Sequence, residues 1–205
     1  HLGDMLPLNL SFQSLTGEAL SNVARINQGD DVIKDMSLFA RDKNLMLSTE
    51  IILGLPGETY ESFLNNYTQL FKYGFESVIY SPLALIRGSD LYTDEARKKY
   101  KFKSRYVLIE RSVSEIEGEL YFEYDESPVE SNSYDETQYW NMHMASIFVY
   151  MTLRGGYYKE LYRHALNSSI TFKDIFLEIK SNSKDYPEFS KTLDHCLNSV
   201  KKYFF

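Results

Sequence analysis

LMLSTEIILGLPGETYESFLNNYTQLFKYGFESVIYSPLALI, residues 45–86, decides how this chain folds. Its opening part, 45–55, is rich in β-branched and apolar residues and ends near Gly54, which predicts a strand. Thr59 then precedes Tyr60. From Ser62 to Tyr73 the apolar Phe63, Leu64, Tyr67, Leu70 and Phe71 recur at helical spacing until Gly74 stops the run. Residues 77–86 read as another strand, running into a Pro-containing turn. Two strands joined through a helix need a crossover connection, so they are parallel.

Working outward, LNLSFQS at 8–14 alternates apolar and polar residues, as a half-buried strand does. Thr16 to Asn27 predicts a helix with Leu20, Val23, Ala24 and Ile26 on one face. Residues 31–44 predict a second on Val32, Ile33, Met36, Phe39 and Ala40, with Asp30 or Asp31 as N-cap. Three parallel strands are too few to close a barrel, so residues 1–90 predict a partial (half) β/α barrel. Its uncovered edges predict self-association.

After Gly88 the character changes. Residues 92–106 are charged and helix-like, and 106–126 read as extended (YVLIERS, then GELYFEYDE). SPVESNSYDE at 127–136 reads as a turn-rich linker. Apolar spacing then predicts helices near 137–153, 156–167, 171–182 and 187–203. The expected fold class is α/β: a half-barrel over 1–90, a connecting charged and extended region over 91–133, and a helical C-terminal module over 134–205.

Composition narrows the function. The 205 residues suffice for one core with an appendage, and 43% hydrophobic with 25% charged residues is ordinary for a globular protein. Aromatics reach 15%, enough to fill a core and also to cover a surface. No run approaches the roughly 18 apolar residues of a membrane helix, and HLGDML lacks the basic-then-apolar order of a signal peptide. Cys196 stands alone, which rules out a disulfide framework and fits a reducing, cytoplasmic setting. One thiol also cannot hold an iron–sulfur cluster. The net charge of −7 argues against nucleic acid as the main partner.

GLPGET at 54–59 lies where a strand ends and a helix begins. Two glycines and a proline let backbone approach a ligand there, and a helix start offers free N–H groups. The Lys-Ser/Thr of a phosphate loop is absent. A tight strand–helix turn is the plain alternative. Gln13 at the end of the first strand, Arg25 twelve residues later and Glu50 four residues before Gly54 give the turn its company. Parallel α/β barrels place ligands at the C-terminal ends of their strands. An amide and a carboxylate suit the two hydroxyls of a ribose, a guanidinium suits a carboxylate, and the backbone around Ile52, Leu53 and Gly54 suits a purine edge.

SFQS at 11–14, Arg25 and EIILGLPGET at 50–59 resemble the C-terminal half of a radical SAM barrel. The resemblance implies that Gln13 and Glu50 bind the ribose of S-adenosyl-L-methionine (SAM), Arg25 its carboxylate, and Ile52, Leu53 and Gly54 its adenine. Glu50 stands where Asp is more usual. The family's C-x3-C-x2-C loop for a 4Fe–4S cluster would lie upstream, so the parent protein holds the cluster and this chain alone is expected to be inactive. The partner implied is that missing N-terminal half. Residues 99–140 are similar, more loosely, to radical SAM proteins with an N-terminal cobalamin-binding domain, which suggests cobalamin-dependent methyl transfer by the parent on an unspecified substrate. Two other readings stay open: a non-catalytic interaction module on a half-barrel scaffold, and an ordinary barrel enzyme using Glu50 as base.

The remaining signals are bland. Arg97, Lys98, Lys99, Lys101, Lys103 and Arg105 read as a solvated basic face, with the acidic run from Glu115 to Glu126 as a strand pair that could partner it. Adjacent His195 and Cys196 point about 100° apart on a helix and do not share a ligand. His143 and His164 have no metal spacing, and Trp140, Met142, Met144, Phe148 and Tyr150 read as core.

Overall fold

The computed structural model describes residues 7–153 and 158–205, apart from the side chains at 110, 111 and 159. The opening HLGDML and the first two residues of the helix expected at 156–167 lie outside the described residues.

Leu8–Asn9 (β1), Leu47–Leu53 (β2) and Ser77–Pro82 (β3) form a parallel sheet of order β1-β2-β3. Between them run helices Gly17–Asn22 (α1), Asp30–Asp42 (α2) and Tyr60–Lys72 (α3). Leu47, Ile51 and Leu53 of β2 sink into the main apolar cluster, which also takes Ile33 and Ala40 of α2. Glu50 and Ile52 turn to the other face, where Glu50 is exposed and Ile52 half-buried. Thr59 caps α3 with the reciprocal bonds of a capping box: its hydroxyl accepts from Ser62 N, and Ser62 Oγ accepts from Thr59 N. Phe63, Leu64, Tyr67 and Leu70, the stripe expected from spacing, are fully buried.

After a short 3-10 turn, Asp90–Tyr92, come helix Asp94–Tyr100 (α4) and the strands Lys103–Ile116 (β4) and Glu119–Glu130 (β5). β4 and β5 form a separate antiparallel hairpin. Its tip, Glu117–Gly118, has both residues at positive φ (+53° and +81°), the conformation whose twist suits a two-residue hairpin turn. Four helices follow: Glu136–Leu153 (α5), Lys159–Asn167 (α6), Phe172–Ser181 (α7) and Pro187–Lys201 (α8). They continue the core of the sheet. Tyr139, Met142, Ala145, Phe148 and Val149 of α5 share the cluster of Phe12, Ile51 and Phe63, and Tyr67 Oη donates to Ser146 Oγ at 2.8 Å. The ring of Phe148 in turn meets Phe172 and Phe176 of α7.

Several expected boundaries move, each for a local reason. The first helix stops at Asn22 instead of Asn27: Ala24 adopts φ +51°, and Arg25 N bonds back to Leu20 O, a left-handed helix ending. Ile26, expected on the buried face, is therefore exposed. The N-cap of α2 is Gly29, and Asp30 and Asp31 occupy the first turn, where carboxylates favour the helix dipole. The strand expected over 8–14 keeps its ladder only at Leu8–Asn9 and resumes as a single bridge at Gln13. The charged helix ends at Tyr100 because Lys101 takes φ +55°. The linker expected from 127 is in its first part strand, with Ser127 and Val129 buried.

Candidate functional site

Ser11 is exposed, Phe12 buried, Gln13 half-buried and Ser14 buried. Gln13 takes φ +62°, a conformation unfavourable for a residue with a side chain. Pairing with β2 on both sides holds it there: Gln13 N donates to Glu50 O at 3.1 Å, and Ile52 N donates to Gln13 O at 2.7 Å. Strain of this kind concentrates where function needs a fixed geometry. The backbone of Gln13 thus pairs opposite Ile51, between Glu50 and Ile52, and only Glu50 and Ile52 are placed on the face opposite the core. Arg25 reaches the same strand end, its Nη2 donating to Ser11 O and its Nε to Asn27 Oδ1.

Leu53 and Gly54 are placed differently. The Leu53 side chain is buried in the main core, and its carbonyl accepts from Leu83 N at 2.8 Å. The Gly54 carbonyl accepts from Tyr134 Oη at 2.8 Å. Both carbonyls thus serve the fold. Ile52 alone of the three turns its side chain to the open face, at the margin of a small cluster of Ala19, Leu55, Leu83 and Leu85.

The GLPG turn is held from two sides. Asn22 Nδ2 of α1 donates to Pro56 O at 3.1 Å, and Gly57 N donates to Ser133 Oγ at 2.9 Å. Gly57 has φ +87°, and a Cβ there would lie 2.5 Å from Asn22 Nδ2 and 2.8 Å from Glu18 Cγ. Gly57→Ala should therefore lift α1 from the turn and lower stability by about 2–4 kcal/mol, from overpacking and a strained φ together. Gly17→Ala, at a helical position with nothing within 4 Å, should change it little. Thermal unfolding of the two variants beside the parent chain checks this.

Beneath the turn lies a residue that motif reading does not single out. Glu58 is fully buried, and its Oε1 accepts from Ser14 Oγ at 2.6 Å, Asn66 Nδ2 at 2.6 Å and Thr16 Oγ1 at 2.9 Å. Asn66 Oδ1 also accepts from Leu15 N at 3.2 Å. One carboxyl thereby ties residues 14–16, just past Gln13, to the turn and to α3. Burial pushes its pKa up to about 7, against the opposing effect of the three hydrogen bonds, and Oε2 has no partner. Glu58 organises the strand ends from below and does not reach the open face. Ser133 and Tyr134, which hold the turn from about eighty residues away, were likewise hidden in an apparent linker.

Elsewhere, His143 is buried in the core as expected of a bland histidine. Among the described residues no group of three His, Cys, Asp or Glu side chains could hold a metal ion, and no helix is long and apolar enough to cross a membrane. A cleft of about 1020 Å³ opens at the other end of the sheet, beside Leu45, Met46, Phe75 and Glu76. That is the N-terminal end of the strands, away from the position where open parallel sheets bind ligands.

The chain matches no protein-family model. Its sequence is similar to tRNA-2-methylthio-N(6)-dimethylallyladenosine synthase of Desulfosudis oleivorans, with 39% identity over 71 residues. The match covers 32% of this chain and 15% of that protein, so it bears on a small part of the relative.

Proposed function

We propose that this chain is the SAM-facing, C-terminal part of a radical SAM β/α barrel whose cluster-binding half is supplied by upstream sequence of the parent protein. The observation that carries the reading is the backbone pairing of Gln13 between Glu50 and Ile52 at the strand ends, with Arg25 bonded to Ser11 O beside them. The similarity to a tRNA-modifying synthase supports it. In this reading Gln13 and Glu50 accept from the ribose hydroxyls and Arg25 takes the methionyl carboxylate. Ile52 packs against adenine, with Leu53 and Gly54 fixing its strand from behind. SAM with a 4Fe–4S cluster supplies radical chemistry, and the residues here orient and shield it.

The substrate is a separate matter. Arg97, Lys103 and Arg105, half of the basic stretch at 97–105, are paired with Glu126, Glu130 and Glu136. With a net charge of −7 as well, we carry over from the relative the cofactor and not the tRNA. Cobalamin-dependent methyl transfer by the parent rests on the sequence resemblance of residues 99–140 alone.

Isothermal titration with S-adenosylhomocysteine tests the reading. Weak binding is expected because the cluster's share of the site is absent, and Arg25→Ala and Gln13→Ala should each weaken it about tenfold, the loss of one charged or well-placed polar contact. Equal binding by the parent chain and both variants would refute the assignment. Independently, the gene should encode a C-x3-C-x2-C triplet about 100 residues upstream, the length of the missing half-barrel. A gene without it would overturn the proposal.

A further inference from the structure

The outer half of the hairpin β4–β5 projects an apolar face, exposed among the described residues, while at its base Tyr106 meets the Phe205 ring. Leu120, Phe122, Tyr124 and Glu126 follow one another along one side of β5, and their cross-strand partners on β4 are Glu115, Val113, Leu108 and Tyr106. Paired residues of an antiparallel ladder share a face. Tyr106, Leu108, Val113, Leu120, Phe122 and Tyr124 therefore form one apolar stripe. Val113 is 55% exposed, Leu120 67% and Phe122 54%. Near the base the tail residues Tyr203–Phe205 pair along the edge of β4 at Tyr106–Leu108, and on the opposite face Val107 packs on the main core and Ser127 bonds Tyr139, so that side lies on the body. A two-stranded hairpin without a third strand or a covering layer is marginal in water. Its outer half needs a cover.

The charges bordering the stripe are arranged in opposite senses at its two ends. At the tip stand Glu115, Glu117 and Glu119, all exposed. At the base Glu126, on the stripe's own side, holds Arg97 of α4 through both carboxylate oxygens, the second at 2.7 Å. That pair places α4 on the same side of the hairpin. Its neighbours Lys98, Lys99 and Lys101 are exposed, Lys99 lying over the Tyr100 ring. From Glu126 to Glu119 the strand covers about 24 Å, at the usual rise per residue. A two-fold rotation across the middle of this face lays apolar centre on apolar centre and each acidic tip on the lysines of the other copy. An isologous interface requires that kind of self-complementarity.

We propose that this face is the interface of a two-fold homodimer in which the hairpins of two copies stack face to face and antiparallel, each acidic tip over the α4 lysines of the other. The contact differs from association through uncovered sheet edges, because it runs through side chains of one face and swaps ends. It predicts a dimer that salt weakens.

Sedimentation velocity of the 205-residue chain, from micromolar to hundreds of micromolar, is the test. The parent chain should dimerise, and Phe122→Asp should raise the dissociation constant at least tenfold. Reversing the base (Lys98→Glu, Lys99→Glu, Lys101→Glu) or the tip (Glu115→Lys, Glu117→Lys, Glu119→Lys) should weaken the dimer in each case. Mixing the two reversed proteins should restore it as a heterodimer. That rescue reads the end-swapped geometry and does not depend on how well Phe122→Asp folds. A parent chain monomeric throughout, a dimer indifferent to Phe122→Asp, or reversed proteins that fail to rescue each other would overturn the proposal.

Discussion

Glu58→Gln should turn a stability profile that is nearly level on mild acidification into one that falls. Two buried groups set this profile. Glu58 has its pKa raised from 4.5 to about 7, chiefly by burial. The folded state therefore binds this proton more tightly than the unfolded chain. The stabilisation is complete below the unfolded pKa of 4.5 and is lost as pH rises through 7, about 3 kcal/mol over that span. His143 acts in the opposite sense: burial, with a smaller contribution from Lys201, lowers its pKa from 6.5 to about 3. Its contribution is complete above pH 6.5 and falls away toward 3, by about 5 kcal/mol. Between pH 4.5 and 6.5 the two slopes cancel.

Glutamine mimics the protonated acid at Oε1 and cannot titrate. Near pH 8 the variant should stay close to the parent chain, since relief of a buried charge offsets an unpartnered amide of about 1–3 kcal/mol. Below pH 6.5 it should lose about 1.4 kcal/mol per pH unit from His143 alone. Glu58→Ala should cost about 3–5 kcal/mol already near pH 8, because Ser14, Thr16 and Asn66 lose their shared acceptor, and it should fall on acidification in parallel with Glu58→Gln. Urea unfolding of the three proteins across this range decides it. A Glu58→Gln profile parallel to that of the parent chain would show that Glu58 stays ionised in the fold.

The sheet and the helices were legible because apolar spacing reports directly on burial. The stripe Phe63, Leu64, Tyr67, Leu70 and Phe71 reads as a helix face in the sequence and lies in the core in the structure. The C-terminal helices were placed to within a few residues for the same reason. The polar half of the site was not legible. Glu58, Ser14 and Asn66 meet across 44 and 52 positions. Tyr134 reaches Gly54 across 80. No local pattern reports such pairings, since a Ser, an Asn or a Tyr has the same sequence surroundings whether it bonds water or a buried partner. Gln13 was singled out for its chemistry, whereas its positive φ depends on the pairing with β2. The hairpin was read as extended, but its two faces could not be told apart without the register, which the irregularity between Leu108 and Val113 shifts by three residues.

His143→Leu is the complementary experiment and should make the protein more acid-resistant. The imidazole is fully buried, ringed by Tyr80, Tyr139, Trp140 and Phe204. Among the described residues its one polar contact is long, Nδ1 to Tyr80 Oη at 3.4 Å, and Nε2 has no partner. A neutral ring tolerates these surroundings. A charged one does not, and Lys201, whose ammonium lies over the Trp140 ring 5.0 Å from its centroid, adds repulsion. Leucine fills a similar volume and removes the unpartnered Nε2 at the cost of the long contact to Tyr80 Oη, so at pH 7.5 stability should change by less than about 1.5 kcal/mol. His143→Ala, by contrast, opens a cavity and should cost about 3 kcal/mol at pH 7.5, a deficit that shrinks below pH 6.5 because it too lacks the His143 slope. On acidification the leucine variant keeps only the Glu58 slope. It should gain stability from pH 6.5 down to 4.5, where the parent chain is level, overtake it within that window, and hold its value below pH 4.5, where the parent chain declines. A leucine variant that loses stability below pH 6.5 as steeply as Glu58→Gln would assign the acid-sensitive proton to some other group. With Glu58→Gln falling and His143→Leu rising over the same window, the level profile of the parent chain resolves into two buried groups of opposite sign, one beneath the GLPG turn and one on the buried side of α5.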